Sequence, residues 1–556
     1  MRKFLTISMS MFLGVMLFHG LNQNLQANVF ASRLQILNPD TTEFDGDFSD
    51  GSGAIFTFIL NDTASAVTLE IIDAESGSSA HQIAAGAMSR GPNQVSWDGT
   101  GGETGKKYVF KITASQPNRS TSEWSMFYDS GGVDIYTRGV AIYNDQTDPN
   151  FGLIYASNDG GPLRTGITIY DPDGSRHDPF LVAADLEDGG TFDYGTDAPL
   201  FAILDKQGRL YVSLKDLGKI ARINRDYSVD VIVEGLTLPK GLYVEGEGEE
   251  FTIYVAADNQ VLRAKIGTAD TFPAGSMEVI AEFTDFFPQQ IILDDDGALY
   301  VTLRASNDLG SDGKGIRKYD ISGTLPVNDD PAAWYLYEGD TFMANDLLLD
   351  HGTDLNSSAD DILYFCTRAD ANNDQDGIWQ VDDINATFPT IIRIITEDKL
   401  YGGDENINAR ATMDFDAAGN IVLMENANEH IFFISPPGEG ETNSYTTTSP
   451  DTFTVDVSSA LEIISAQIPN EYKLGANYPN PFNPSTMITF NLPKSEYVIL
   501  AVFNALGQKV QTLVSKNLGP GAYQVAFDGR RLSSGTYFYH LQAGSFSDVR
   551  KMVLAK

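Results

Sequence analysis

The chain has 556 residues, enough for three or four domains of ordinary size, each with its own core. With 42% hydrophobic and 20% charged residues its composition is globular, not that of a disordered or multi-pass membrane chain. Its 76 Asp and Glu against 37 Lys and Arg give a formal charge of −39, which repels phosphate backbones and sets nucleic-acid binding aside, while the single cysteine, Cys366, excludes an intramolecular disulfide.

Met1-Arg2-Lys3 precede an apolar stretch from Phe4 to Phe18, followed by small-residue positions at Ala27 and Ala31. That order predicts a secretory signal peptide over residues 1–27. Thr6, Ser8, Ser10 and Gly14 interrupt the stretch, which is too short for a spanning helix. No later run reaches about 18 apolar residues, so no transmembrane segment is expected after signal cleavage.

Val67-Thr-Leu-Glu-Ile-Ile-Asp73 then alternates apolar and polar residues, which reads as a strand. Gly91-Pro-Asn-Gln-Val-Ser-Trp-Asp-Gly99 ends on an Asp-Gly turn, and Tyr108 and Phe110 lie on the strand that follows. This is hairpin chemistry, not catalysis. The same grammar recurs at Val498 to Asn504, Gly521 to Gly529, Tyr537 and Tyr539. Residues 32–122 resemble the Ig-like domain of flagellar hook-capping proteins, which implies a small β-sandwich that spaces or docks its neighbours.

Between Asp134 and Pro437 another unit repeats: an apolar strand, an acidic turn with glycine, and a second apolar strand often containing Tyr. The clearest copies are Phe201-Ala-Ile-Leu-Asp-Lys-Gln-Gly-Arg-Leu-Tyr-Val212, Ile291-Ile-Leu-Asp-Asp-Asp-Gly-Ala-Leu-Tyr-Val301 and Ala411 to Val422, with weaker ones at 139–155, 241–255 and 346–365. Six copies spaced by roughly 40–65 residues fit the blade period of a β-propeller. The expected fold is therefore all-β: a six-bladed propeller over 134–437 flanked by two small Ig-like sandwiches. The strand-Asp-x-x-Gly-strand pattern resembles NHL and gluconolactonase-like propellers, a likeness of fold that does not carry function with it.

In gluconolactonase-like propellers the resemblance implies a divalent cation over the channel, held by acidic and amide side chains. Here Lys240 of Leu238-Pro-Lys-Gly-Leu242 takes an amide position and Gln289 of Pro288-Gln-Gln290 takes an acidic one, leaving Asn345 and Asp346 as ligand-capable residues. Gln289, Asn345 and Asp346 are thus the candidate channel residues. After the signal peptide the histidines, His81, His177, His351, His430 and His540, stand singly, and neither a Gly-x-Ser-x-Gly elbow nor a phosphate loop is present. Cys366, in the apolar strand from Ile362, reads as a buried structural thiol. The segment Asn372 to Asp383 offers Asn372, Asp374, Asp376 and Asp383 at calcium-loop spacing, with Gly377 at the sixth position, and makes structural calcium the candidate cofactor. Poorer acidic turns lie at 350–361 and 307–313.

Residues 438–467, with a Ser/Thr/Pro/Gly stretch, read as a linker. Beyond it, residues 468–556 carry nine Lys or Arg against four Asp or Glu, so the acidity of the chain lies ahead of this region. Tyr478-Pro-Asn-Pro-Phe-Asn-Pro-Ser-Thr486, the turn Asn504-Ala-Leu-Gly-Gln508, Gly535-Thr-Tyr-Phe-Tyr539 and Lys551-Met-Val-Leu-Ala-Lys556 together resemble the type A C-terminal sorting domain of the type IX secretion system. That resemblance implies a β-sandwich that engages the type IX machinery and an extracellular or outer-membrane-surface destination in a Bacteroidetes-like bacterium. The expected function is a non-catalytic binding or adhesion module for an extracellular glycan or protein. The alternative is a secreted metal-dependent hydrolase of lactonase type or a sugar-oxidising propeller.

Overall fold

The computed structural model describes residues 29–556 other than 47, 49–52, 118–122, 132–136, 160–164, 178–198, 248–249, 268–270, 307–312, 329–333, 337–342, 369–375, 388, 402–410, 426–428, 439–441, 456–460, 466 and 530–531. The expected signal peptide and residues 307–312 of the acidic turn at 307–313 lie outside the described residues. The chain divides into two compact units. One comprises Asn118–Asp145 and Gly152–Glu441, the other Val29–Pro117, Gln146–Phe151 and Thr442–Lys556.

In the first unit the described strands form six sheets in chain order. Their first strands are Thr137–Ile142, Pro199–Leu204, Pro239–Glu247, Phe287–Leu293, Met343–Asp350 and Ala411–Phe415. Each first strand packs beside the first strand of the next sheet, and the sixth packs beside the first, so the sheets close into a ring. This is the all-β propeller that the repeat predicts. Its closure uses a segment ahead of the expected boundary at 134: Ser125–Asp129 is the fourth strand of the sixth sheet, pairing from Ser435↔Ser125 to Phe432↔Asp129. Joining the start of the propeller to its end removes a free sheet edge.

The repeated acidic turn has a structural reason. Asp205 Oδ1 accepts the backbone N–H groups of Gln207 and Arg209, while its Oδ2 accepts the Tyr211 hydroxyl at 3.0 Å. Asp294 repeats the arrangement with Ala298 N–H and the Tyr300 hydroxyl. Asp416 caps its own turn through the N–H groups of Ala418 and Asn420. One side chain thus satisfies the hairpin's loose backbone donors and ties the turn to the following strand.

In the second unit, Ala31–Leu37, Ala54–Leu60 and Gly91–Trp97 form one sheet of the N-terminal sandwich. Ala54–Leu60 alternates buried and half-buried residues along its whole length, so one face packs into the core with Trp97, Phe110 and Ile112. The opposing sheet corrects the linker reading of residues 438–467. Thr442–Thr448 pairs antiparallel with Lys107–Pro117, from Thr442↔Pro117 to Thr448↔Lys111, and Phe453–Thr454 pairs with the same strand. Its Ser/Thr content suggested loop, yet the alternation buries Asn443, Tyr445 and Thr447 and leaves Ser444 and Thr446 outward. There the hydroxyls of Thr446 and Ser444 meet those of Thr113 and Ser115, both at 2.8 Å. In sequence terms the propeller is an insertion between neighbouring strands of one sandwich.

The C-terminal sandwich has its own core, in which Phe490, Leu500, Phe527, Tyr539 and Leu554 are fully or almost fully buried. Leu461–Ser465 pairs with Gly521–Asp528, so this domain also begins inside the stretch read as linker. Tyr539 donates its hydroxyl to Gly475 O at 2.7 Å and accepts Asn477 N–H at 2.9 Å, fastening the segment ahead of the Pro-rich motif.

Candidate functional site

Five of the six first strands carry one more residue than their partner near the start. The additions fall between Thr137 and Gly139, Pro199 and Ala202, Pro239 and Leu242, Pro288 and Ile291, and Ala344 and Asp346. Such a bulge re-aims a side chain out of the regular alternation. The segments so displaced hold Arg138, Leu200, Lys240, Gln289 and Asn345. Neighbouring strands come close here: a Cβ on Gly241 would lie 2.3 Å from Gln289 O, which leaves only glycine room.

Arg138, Gln289, Arg304 and Asn345, with an apolar wall of Leu200, Phe201 and Ala411, line a recess of about 390 Å³, its open mouth included. Gln289 Nε2 donates to the carbonyls of Phe287 and Pro288, and its Oε1 is buried without a partner. Asn345 Oδ1 accepts from Arg304 Nη2 at 2.7 Å, and its Nδ2 is buried without a partner. One buried acceptor and one buried donor without partners therefore belong to residues that line the recess together with two guanidinium groups. The described lining contains no carboxylate.

Of the residues expected at the channel, Gln289 and Asn345 meet in this recess, whereas Lys240 and Asp346 are buried and absent from its described lining. Asp346 accepts from Gln290 Nε2 of the fourth sheet, from Thr412 Oγ1 and Met413 N–H of the sixth, and from its neighbour Leu347 N–H. With four donors on its two oxygens it is a strut between sheets. Burial nonetheless keeps its carboxyl above the usual range. Asp414 does the same between the sixth sheet and the first, accepting Ile142 N–H at 2.7 Å, and burial pushes its carboxyl up to about 7. Cys366 is buried, donates to Ala411 O at 3.2 Å, and has its thiol pushed well up by burial, so it is not a reactive thiolate.

The donor set does not fit a channel calcium. The amide oxygen of Asn345, the group a cation would need, is already held by a guanidinium, and no carboxylate converges on it among the described lining residues. Of the candidate calcium loop, the two described members, Asp376 and Asp383, are not brought together. Asn372 and Asp374 lie outside the described residues, while Asp376 and Asp383 flank the strand Gly377–Asp382, which holds them about 20 Å apart. Asp376 is instead paired with Arg393 at 3.0 Å. Sequence spacing suggested a wrapped loop because glycine stood at the sixth position; here that glycine opens a strand.

His177 lies beside Asp171, His430 beside Asp129, and His81 stacks on Trp97. His351 behaves differently: it is grouped with two carboxylates, those of Asp295 and Asp361. Sequence reasoning noticed the acidic turns but not that two of them, from consecutive repeats, meet around a histidine.

Residues 476–555 match the family model of the secretion system C-terminal sorting domain, and residues 45–118 match that of the FlgD Ig-like domain. The C-terminal sandwich is thus a type IX sorting domain, and the chain is exported to the exterior or the cell surface. No curated protein matches the chain. Among solved structures, an auxiliary nutrient binding protein from Bacteroides thetaiotaomicron is similar at 10% identity and a TM-score of 0.36, over 73% of this chain and 98% of that one. PorZ, a surface component of the type IX secretion system of Porphyromonas gingivalis, is similar at 12% identity and a TM-score of 0.32, over 92% and 69%. A gluconolactonase from Xanthomonas campestris is similar at 13% identity and a TM-score of 0.27, over 70% and 92%. Likeness at this level leaves the function to be read from this chain's own residues.

Proposed function

We propose that this exported propeller is a binding protein for an acidic sugar, which it holds at the channel recess without altering it. The observation that carries this reading is the pairing of an open amide acceptor, Gln289 Oε1, and an open amide donor, Asn345 Nδ2, with the guanidinium groups of Arg138 and Arg304. A sugar hydroxyl both donates and accepts, so it suits the two amides. A carboxylate suits a guanidinium, which can grip both of its oxygens. Among its described residues the wall has no side chain suited to general acid–base work near neutral pH, and Asp346 behind it is fully engaged. Binding is therefore favoured over turnover, and the hydrolase alternative has no described constellation to carry it.

The test is calorimetric titration of the purified chain with uronate-containing and neutral oligosaccharides of equal length. Acidic sugars should bind at least tenfold more tightly, and Arg138→Ala should abolish the difference. Equal binding of the neutral series, or an acidic preference indifferent to Arg138→Ala, would overturn the reading. Turnover of a lactone by the wild type but not by Asn345→Ala would replace it with the hydrolase.

A further inference from the structure

At the far end of the strands that carry Gln289 and Asn345, two acidic turns of successive sheets approach each other. Asp295 follows the strand Phe287–Leu293, His351 follows Met343–Asp350, and Asp361 directly precedes Ile362–Arg368. A carboxylate oxygen from each aspartate and a ring nitrogen of His351 all lie within 4.8 Å of one another, with His351 Nδ1 2.7 Å from Asp295 Oδ1. We propose that Asp295, His351 and Asp361 form a binding site for one divalent transition ion, zinc in the first place, that clasps the fourth sheet to the fifth.

The second, independent observation is a pair of orphaned oxygens. Asp361 is only 2% exposed, and its Oδ1 has no hydrogen-bond partner; Asp295 Oδ2 is likewise buried and unpartnered. Two carboxylates brought together in a partly enclosed place, each with an oxygen left over, are unfavourable unless something positive neutralises them. A cation would do so. Burial already pushes the Asp361 carboxyl up to about 6, with the neighbouring Asp295 charge adding to it. Other acids nearby are spoken for: Asp294 by Tyr300 and Lys318, Asp296 by Ser358, Asp360 by Thr353. The Ser358 bond, at 2.6 Å, also ties the 350–361 loop to the preceding turn and so helps to assemble the site before any ion arrives.

The donor chemistry selects the ion. One imidazole and two carboxylates suit zinc, which accepts three protein ligands and leaves a position for water. His351 keeps its side chain 31% exposed, which gives that water and the entering ion a path. Calcium and magnesium are poorer matches, since they favour shells of oxygen ligands and avoid nitrogen.

The test uses the purified, untagged chain, stripped with a chelator and titrated with Zn²⁺ in a competing buffer, with melting followed in parallel. We expect one equivalent to bind and the melting temperature to rise by several degrees, as it must when a ligand binds only the folded state. His351→Ala and Asp361→Asn should each weaken binding at least about 100-fold, since losing even an indirect partner of a metal ligand costs roughly 10–100-fold. His351→Ala, at a partly exposed position, should melt like the wild type in chelator and decides the matter if Asp361→Asn does not fold. Absence of stoichiometric binding, binding unchanged in His351→Ala, or a melting shift produced by Ca²⁺ and not by Zn²⁺ would each overturn the proposal.

Discussion

The two ends of the propeller's inner strands carry opposite chemistry. At their starts, bulges hold Arg138, Lys240, Gln289 and Asn345, and the polar recess has no carboxylate among its described residues. At their other ends, about 20 Å away, stand the aspartates of the repeated turns, Asp205, Asp294 and Asp416 among them. The difference lies in what each end does with its polar atoms. Asp205, Asp294 and Asp416 are occupied by backbone N–H groups and by tyrosine, lysine or asparagine side chains, so they build the hairpins, whereas Asp295 and Asp361 at the same end each keep an oxygen without a partner. The amides at the starts keep an acceptor and a donor open. Polarity alone does not mark a binding end; unspent polarity does.

That contrast can be broken at three places, in descending order of effect. Asp294→Ala should cost the propeller about 3–5 kcal/mol, because Lys318 is buried beside it at 3.1 Å and would lose its counter-charge, while Ala298 N–H and the Tyr300 hydroxyl lose their acceptor. A shift of the urea midpoint with unchanged slope measures this. A loss below about 1 kcal/mol would mean that the turn acids are not structural.

Asp414→Asn should change a slope more than a level. The folded state holds the Asp414 proton up to about pH 7, whereas an unfolded chain releases it near the ordinary value of about 4. Folding thus favours the protonated form, so this group's contribution is fully present in acid and is lost as pH rises from about 4 through 7. The variant should show a flatter decline of stability across that window, read from denaturant midpoints at successive pH values. An unchanged profile would place the titration elsewhere. Gln289→Ala is the smallest step: it removes only bonds to two nearby carbonyls, so stability should move by about 1 kcal/mol or less while acidic-sugar binding weakens.

The parts of this architecture that were legible in the sequence are those in which one residue type has one physical use. Asp-x-x-Gly marks a turn because glycine supplies a positive φ, +73° at Gly208 and +81° at Gly297, and aspartate caps the loose donors. The sorting domain was legible for a similar reason, its proline-rich turn and aromatic strand coming in fixed order. Thr442–Thr448 was misread because serine and threonine serve loops and edge strands alike, and only its partner, Lys107–Pro117, more than 300 positions earlier, decides between them. The bulges were invisible because a bulge is a mismatch between two strands, which neither strand displays alone. Asp295, His351 and Asp361 escaped for the same reason: they belong to two repeats, and their meeting follows from the packing of one sheet on the next, not from spacing along the chain.

Because Thr442–Thr448 completes a sheet begun by Ala64–Asp73 and Lys107–Pro117, synthesis order constrains assembly. Until the ribosome has delivered the whole ring, the N-terminal sandwich has an open seam along Lys107–Pro117, with backbone groups ready to pair with any stray strand. The residues that close it come just before the export tag. A chain cut short within the ring therefore lacks both its seal and its address, and completion of the fold coincides with acquisition of the passport out of the cell.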